Sequence, residues 1–306
     1  MELLEAFVLT VITAATPLLL AATGELVTER AGVLNLGVEG MMLAGAVCAF
    51  AAAVTTGSPT LGILAAMVAG VTMAAIFSFF ALFLVTNQVA TGLALTLFGL
   101  GVSGMLGASF VGEPGVKLAA IHLPGLSELP LVGRILFGQD PLVYVSFIIL
   151  LGVSFLLKRS HIGLVVRAVG DNHHSAHALG YNVLMIRVAA VLFGGLCAGL
   201  GGAYLSLVYT PQWTEGMTAG RGWIAVALVV FSSWIPGRLL VGAYLFGAVT
   251  LLQFHLQAVG VPIPSQFLSA LPYAATVIVL VVISRNRRLL RTHTPAMLGS
   301  TFVPDK

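Results

Sequence analysis

The residues best suited to chemistry form one polar stretch, residues 24–40, in an otherwise apolar chain. Glu29 stands beside Arg30, and Asn35 and Glu39 follow among glycines. Ionisable groups at membrane depth are costly unless they are paired or face water, so they mark a solute path or a structural pair. Two interpretations stay open: a broken helix whose polar groups line a path, or an ordinary cytoplasmic turn between the first two helices.

The first interpretation gives a set of candidate path residues, in which Glu39 and Asn35 are the strongest members. A polar pair that precedes the fourth apolar run is added to it. The six residues are Glu29, Arg30, Asn35, Glu39, Asn87 and Gln88.

Nucleotide chemistry is not supported by the motifs of this chain. Residues 99–104 match GxGxxG, but they lie inside an apolar run and follow no strand, so they are not a dinucleotide site. None of the three lysines follows a glycine, as a P-loop lysine does. We therefore predict that the chain is not an enzyme, has no catalytic residue, carries no cofactor and cannot hydrolyse ATP. These glycines and four later ones, Gly195, Gly199, Gly201 and Gly202, are instead expected to let helices pack closely.

Three histidines, His173, His174 and His177, suggest a metal ligand set, because residues four apart share a helix face. Only Asp171 could complete that set in the sequence, so we predict no metal site.

The elements that must position these residues are transmembrane helices. Of the 306 residues, 58% are hydrophobic and 8% are charged, against roughly a quarter charged in soluble domains. Lipid cannot satisfy the edges of an open sheet, so the sequence predicts an all-α, polytopic helix bundle with about nine (eight to ten) membrane helices. The apolar runs are 6–23, 37–56, 60–86, 89–111, 141–157, 188–209, 222–236, 238–258 and 268–284.

Two basic regions set the expected topology. Residues 158–187 and the arginine-rich tail after residue 284 are rich in Lys and Arg, and such short segments stay cytoplasmic. This places the C-terminus inside, residues 112–140 in an external loop, and the N-terminus outside. The positive charge is explained by topology, so we expect contact with membrane lipid and none with nucleic acid.

Tryptophans and cysteines have simpler explanations. Trp213, Trp223 and Trp234 are expected near helix ends as headgroup anchors. Cys48 and Cys197 lie in apolar runs and are expected to be buried.

Residues 158–187, which we call the coupling segment, are expected to contain a short helix exposed to the cytoplasm. Asp171 or Asn172 would cap that helix, and such a helix can sit in another protein's groove.

Four groups of residues resemble one family, the permeases of bacterial ATP-binding-cassette importers for simple sugars, branched-chain amino acids and nucleosides. They are similar to the nucleoside branch in particular, and the resemblance covers nearly the whole chain. The groups are residues 29–42, 87–89, 219–223 and 264–266.

The resemblance implies a single permease domain, residues 1–306, in a bacterial inner membrane. It implies a second, related permease subunit in a heterodimer, two cytoplasmic ATPases that bind ATP and Mg, and an external substrate-binding protein. The chain would import a nucleoside or related simple sugar by alternating access. The ATPase would contact the family's coupling region, here Gly163, Arg167, Ala168, Gly170, Asn172, Ala176, Leu179 and Gly180.

Two other classes of protein remain as alternatives. An ion-coupled secondary transporter of a small neutral solute would need acidic residues in its helices, which are scarce here. A membrane-embedded enzyme would need clustered Asp, Glu or His in the bilayer, and only the residues from Glu29 to Glu39 and His255 come close.

Overall fold

The computed structural model describes residues 2–121, 132–258, 264–284 and 293–303. Within these ranges the chain forms helices joined by turns, without strands, which confirms the predicted all-α class. Each of the nine apolar runs coincides with a helix. In chain order the helices are α1 (Glu2–Arg30), α2 (Val38–Thr56), α3 (Pro59–Ser78), α4 (Gln88–Gly107), α5 (Val132–Phe137), α6 (Pro141–Arg159), α7 (His161–Asp171), α8 (His173–Ala178), α9 (Val183–Tyr204), α10 (Arg221–Phe231), α11 (Pro236–Ala258) and α12 (Ser265–Ser284).

The helices differ in how far they can reach across a membrane. Among the described residues, six helical spans are long and apolar enough to cross one. Two of them, those of α3 and α9, end in a single π-helical turn, Phe79–Phe83 and Leu205–Tyr209. Helix α10 is apolar but has only 11 residues, so it covers about 16 Å of a core that is about 30 Å thick. It therefore reaches only part of the way across.

Helix α9 packs against α1, α2 and α3 at the centre of the bundle. A Cβ at Gly45 would collide with the backbone of Gly199, and one at Gly195 would collide with the Gly70 carbonyl. Gly202 likewise meets the backbone of α2. The expected packing role of these α9 glycines is confirmed, because their missing side chains let the backbones touch.

The glycines of α4 do not all share that role. Gly99 lies against the backbone of Gly40, as expected. Gly101, however, has open space where its Cβ would lie, so the packing prediction is wrong for this residue.

Helix α1 ends inside the bundle in a Schellman motif. Gly32 adopts a left-handed conformation with φ of +83°. Its N–H donates to the Glu29 carbonyl (2.8 Å), and the Val33 N–H donates to the Thr28 carbonyl (3.2 Å), which is the pattern that closes a helix at glycine. Residues 33–37 then run back beside α1 before α2 begins. We call residues 31–37 the first break.

A second break, residues 210–220, lies between α9 and α10. Its final turn uses left-handed backbone at Gly216, Ala219 and Gly220, with φ of 67°, 48° and 81°. Thr218 in this segment is fully buried and contacts Glu39. The second break therefore turns back into the bundle instead of staying at its surface.

The two ends of the bundle carry different parts of the chain. At one end Ile12 of α1 packs with Leu142 at the start of α6, and the Tyr204 hydroxyl donates to Asp140 (3.1 Å). At the other end lie α7, α8 and residues 293–303. The coupling segment and residues 293–303 therefore share one side, as the topology requires. The arginine cluster at 285–291 and part of the external loop lie outside the described residues.

The anchor prediction is wrong for two tryptophans. Trp213 is packed against Gly107 and Trp234 donates to Glu29, and both are buried. Only Trp223 is exposed among the three, at 48%. Cys197 is buried as expected, and Cys48 is partly buried.

The close contact at Gly199 gives a test of this packing. Gly199→Leu should lower the free energy of unfolding by about 1–3 kcal/mol, the usual cost of overpacking, because its side chain meets the backbone of Ala66. Gly101→Leu is the matched control, since it adds the same side chain into open space. Thermal melting of the two purified variants in detergent checks this, and equal melting temperatures would contradict it.

Candidate functional site

Glu39, in the first turn of α2, joins the two breaks. Its Oε1 accepts hydrogen bonds from the Thr218 hydroxyl (2.6 Å) and the Gly220 N–H (2.8 Å). Its Oε2 accepts one from the Gly222 N–H (2.6 Å). The carboxylate thus occupies the N-terminus of α10, where the free N–H groups and the helix dipole favour negative charge.

This junction lies deep in the bundle. A Cβ at Gly40 would meet the backbone of Leu95 and Thr96 in the middle of α4. Glu39 itself is 5% exposed. Two helices, α2 and α10, therefore begin at the same buried point.

Polar side chains satisfy the backbone of the first break. The Leu34 N–H donates to Gln88 Oε1 (2.9 Å), and the Asn35 N–H donates to Glu25 Oε1 (3.3 Å). Asn35 Oδ1 accepts from the Gly37 N–H (2.9 Å) in an Asx turn. Asn35 and Glu25 are buried, so the turn between α1 and α2 is packed within the protein.

The last turn of α1 is tied to the corner between α10 and α11. The Trp234 indole donates to Glu29 Oε2 (2.6 Å), and Arg30 donates to the Trp234 carbonyl (2.9 Å). Ser233 and Trp234 both have positive φ, 52° and 54°. Residues other than glycine rarely adopt this backbone conformation. The contacts with α1 therefore hold a strained corner in place.

Several buried polar atoms near the first break have no hydrogen-bond partner among the residues that the structure describes. Four of these atoms belong to residues whose other polar atoms make the hydrogen bonds described above. The fifth belongs to Ser233, the neighbour of Trp234. The five atoms are Glu25 Oε2, Glu29 Oε1, Arg30 Nε, Gln88 Nε2 and Ser233 Oγ.

The coupling segment folds as two short helices at the end of the bundle. Ser160 Oγ accepts from the Gly163 N–H (3.0 Å) and caps α7. Asn172 Oδ1 accepts from the Ser175 N–H (2.9 Å) and caps α8, which confirms the expected cap and leaves Asp171 in α7. Gly180, with φ of +88°, lies in the turn between α8 and α9.

Two glycines set α7 against the bundle. A Cβ at Gly163 would collide with the Leu156 carbonyl of α6, and one at Gly170 would collide with the Arg30 carbonyl at the end of α1. Leu179, just after α8, is 77% exposed. The segment therefore touches α1 on one side and presents an apolar residue outward on the other.

Burial shifts the pKa values of two residues in the coupling segment. Burial raises the pKa of Asp171, and the nearby cations Arg30 and Arg167 oppose that shift. Burial, together with Arg187 and His174, lowers the pKa of His173 to about 4. His173 is therefore neutral near pH 7, and its Nδ1 can accept from the Arg187 guanidinium (3.0 Å), which can only donate.

Of the six predicted path residues, five lie at the buried breaks and one lies apart from them. Glu29, Arg30, Asn35 and Gln88 cluster at the first break, and Glu39 joins it to the second break. Asn87 is exposed and caps α4 through the Ala90 N–H (3.0 Å).

Four further residues at these junctions were not among the predicted path residues. Three of them bond residues that lie far away in the chain, so no local pattern marks them. The fourth, Glu25, stands one helical turn before Glu29, and that spacing was the available signal. The four are Glu25, Arg187, Thr218 and Trp234. The described residues contain no cluster of three or more His, Cys, Asp or Glu that could hold a metal.

A bundle of apolar helices, two of which begin at a buried polar junction, defines a multi-pass membrane protein of the transporter class. The chain belongs to the family described as branched-chain amino acid transport system / permease component, whose model matches residues 7–284.

Three relatives extend this family assignment along nearly the whole chain. The putative glucose ABC transporter permease protein TsgC13 of Haloferax volcanii is 40% identical over 94% of both chains. The guanosine ABC transporter permease protein NupQ of Bacillus subtilis is 31% identical, and the nucleoside ABC transporter permease protein NupC of Lactococcus lactis subsp. cremoris is 30% identical. Each of these two alignments covers 87% of this chain and 88% of the relative.

Two of those organisms also have a second, more distant relative of this chain. TsgB13 of H. volcanii and NupP of B. subtilis are each 25% identical to it, over 72% and 74% of its length.

The three hydrogen bonds to Glu39 predict a measurable role in stability. Glu39→Gln should lower the free energy of unfolding by about 1.5–3 kcal/mol, the usual worth of a bond to a charged group. The reason is that an amide group would meet backbone N–H donors. Glu215→Gln changes an exposed carboxylate in the second break and is the control. Melting of the purified proteins in detergent decides, and an equal effect of both substitutions would argue against the junction.

His173 predicts a pH dependence of stability. The ordinary pKa of histidine is about 6.5, and the folded value is about 4. Between these values the unfolded chain binds a proton that the folded chain does not, so stability should fall as the pH drops through this window. Melting temperatures at pH 7.5 and 5 should differ less in His173→Asn than in the wild type. His177→Asn, an exposed neighbour, should keep the wild-type difference; the same difference in all three proteins would contradict the assignment.

Proposed function

We propose that this chain is a membrane-spanning subunit of an ATP-driven importer that moves a nucleoside or related simple sugar into the cytoplasm by alternating access. The observation that carries the proposal is the contact of the coupling segment with the end of α1, through Gly170 and Arg30. It gives a movement imposed on α7 and α8 a direct route to the first break.

The solute and the partners are proposed from the family and its members. The relatives are named as permeases for guanosine, nucleosides or glucose, and these solutes share a polyhydroxylated sugar. The paired relatives in H. volcanii and B. subtilis support a second, related permease subunit. Two cytoplasmic ATPases, which would hold ATP and Mg, and an external binding protein complete the proposed assembly in a bacterial inner membrane.

The contact surface for the ATPase is proposed on the exposed side of the coupling segment. Ala168 and Leu179 are exposed there, while Gly163, Gly170 and Ala176 are buried against the bundle. An apolar side chain such as Leu179, raised on a capped helix, suits a groove in a partner protein. This side of the membrane is then the cytoplasm, and the N-terminus lies outside.

The path itself is proposed to open at the two breaks. Breaks in helices supply hinges and polar groups that unbroken helices lack. Asn35, Glu39 and Gln88 hold this arrangement by accepting from backbone N–H groups at the two breaks. Glu29 and Arg30 bond Trp234 at the corner between α10 and α11. Asn87, at the exposed start of α4, would meet solute near the cytoplasmic exit.

An ion-coupled secondary transporter is the alternative, and one feature speaks for it. Glu25 and Glu29 are buried carboxyl groups, and within the described part of the chain each has one oxygen without a partner. The family match favours the ATP-driven class. Uptake by this chain alone in liposomes, driven by a proton or sodium gradient without ATP, would decide for the alternative.

Substitutions in the coupling segment test the proposal. Arg167→Glu and Gly170→Pro should each reduce ATP-dependent uptake of radiolabelled guanosine or glucose by about tenfold, within the range of a coupling residue. Arg167 braces α7 through the Gly163 carbonyl (3.3 Å), and Gly170 has no room beside Arg30. The measurement uses vesicles that contain the complete transporter, with the amount of inserted protein determined.

Leu151→Ala is the control for these variants, because Leu151 lies on α6 and is 67% exposed. It should leave uptake unchanged. Uptake at the wild-type rate in both coupling variants would remove the assignment of the coupling segment.

A further inference from the structure

The C-terminal residues 293–303, which we call the strap, lie against both the coupling segment and the first break. The Met297 N–H donates to the Gly170 carbonyl at the end of α7 (2.9 Å). The Gly299 N–H donates to the Gly32 carbonyl in the first break (3.1 Å). One short segment therefore bonds to the two elements that the proposed mechanism must connect.

Arg187, at the start of α9, fastens the strap to both of its neighbours. Its Nε donates to the Ala31 carbonyl of the first break (3.2 Å), and its Nη1 donates to the Ser300 carbonyl of the strap (2.9 Å). Its Nη2 reaches His173 of α8 (3.0 Å). The side chain is 1% exposed, so a buried cation with fixed donors holds three parts of the chain in one geometry.

Phe302 holds the strap against α8. Its ring lies edge-on to His173, 5.1 Å between centroids, and to His177, 5.4 Å between centroids. It is 7% exposed and packs in one cluster with Ala176 and Val183. Edge-on aromatic pairs and burial both favour this docked position.

The strap lies beyond the residues that the family model matches. The family model matches residues 7–284, and the strap begins after that match ends.

We infer that the strap makes the coupling segment and the first break move as one unit, and that Phe302 and Arg187 are its positioning residues. This inference rests on the proposed function. Without the strap, α7 would contact the first break mainly through Gly170. A movement of the ATPases would then reach the residues that follow α1 through that one contact, and less of the movement would be transmitted.

The experiment follows the first break directly and does not depend on the identity of the solute. In a Cys48→Ala, Cys197→Ala background, Leu36→Cys places one thiol in the first break. Its rate of labelling by a maleimide is measured in the complete reconstituted transporter, without ATP and after trapping with ATP and vanadate. The variants are Phe302→Ala, Phe302→Leu and Val303→Ala.

If the strap links the two elements, we expect the ATP-dependent change in the labelling rate to shrink by about threefold or more in Phe302→Ala. ATP hydrolysis per transporter should persist in this variant. Phe302→Leu should restore the change, because leucine refills the apolar site. Val303→Ala, at a position that is 62% exposed, should behave as the wild type.

Other results would overturn the inference. An undiminished change in Phe302→Ala would leave the strap without a role in coupling. A parallel loss of hydrolysis, assembly and labelling change would make it a stabilising tail only. Absence of any ATP-dependent change with Phe302 intact would contradict the proposed coupling itself, and the strap inference with it.

Discussion

The structure depends on one constraint: backbone groups freed inside a membrane protein must find partners within the protein. Where α1 stops, the N–H groups of Leu34 and Asn35 have no helical partner, and Gln88 and Glu25 supply one. Where α10 starts, Glu39 does the same for Gly220 and Gly222. The polar residues that cluster at these two breaks are there because the freed backbone groups need hydrogen-bond partners.

The same constraint explains why the glycines of α9 and α2 matter. Buried side chains can reach the breaks only if the helices around them lie close together, and Gly45, Gly195 and Gly199 allow that approach. Tight packing also means that neighbouring elements shift together, because a close-packed interior does not deform continuously. A displacement at Gly170 is therefore delivered to the end of α1 instead of being absorbed between them.

Local features of this protein could be predicted from its sequence, and distant pairings could not. The nine apolar runs became nine helices in the described chain, since hydropathy acts residue by residue, and Asn172 caps α8 because a cap needs only its next neighbours. Trp234 was expected at the headgroups, yet its partner Glu29 lies 205 residues away. Glu39 and Gly222 are 183 residues apart. No pattern within one segment reveals such a partner.

The shortness of α10 has a consequence for biogenesis. An apolar helix of 11 residues is well below the roughly 20 that cross one bilayer core. Its place in the bilayer must therefore come from contacts with other helices, chiefly α1 and α2. Helices α1 and α2, which contact α10 and carry the Glu39 carboxylate that binds its first turn, precede α10 in the chain and are synthesised before it. Synthesis from the N-terminus thus supplies the acceptor before the segment that cannot insert without it.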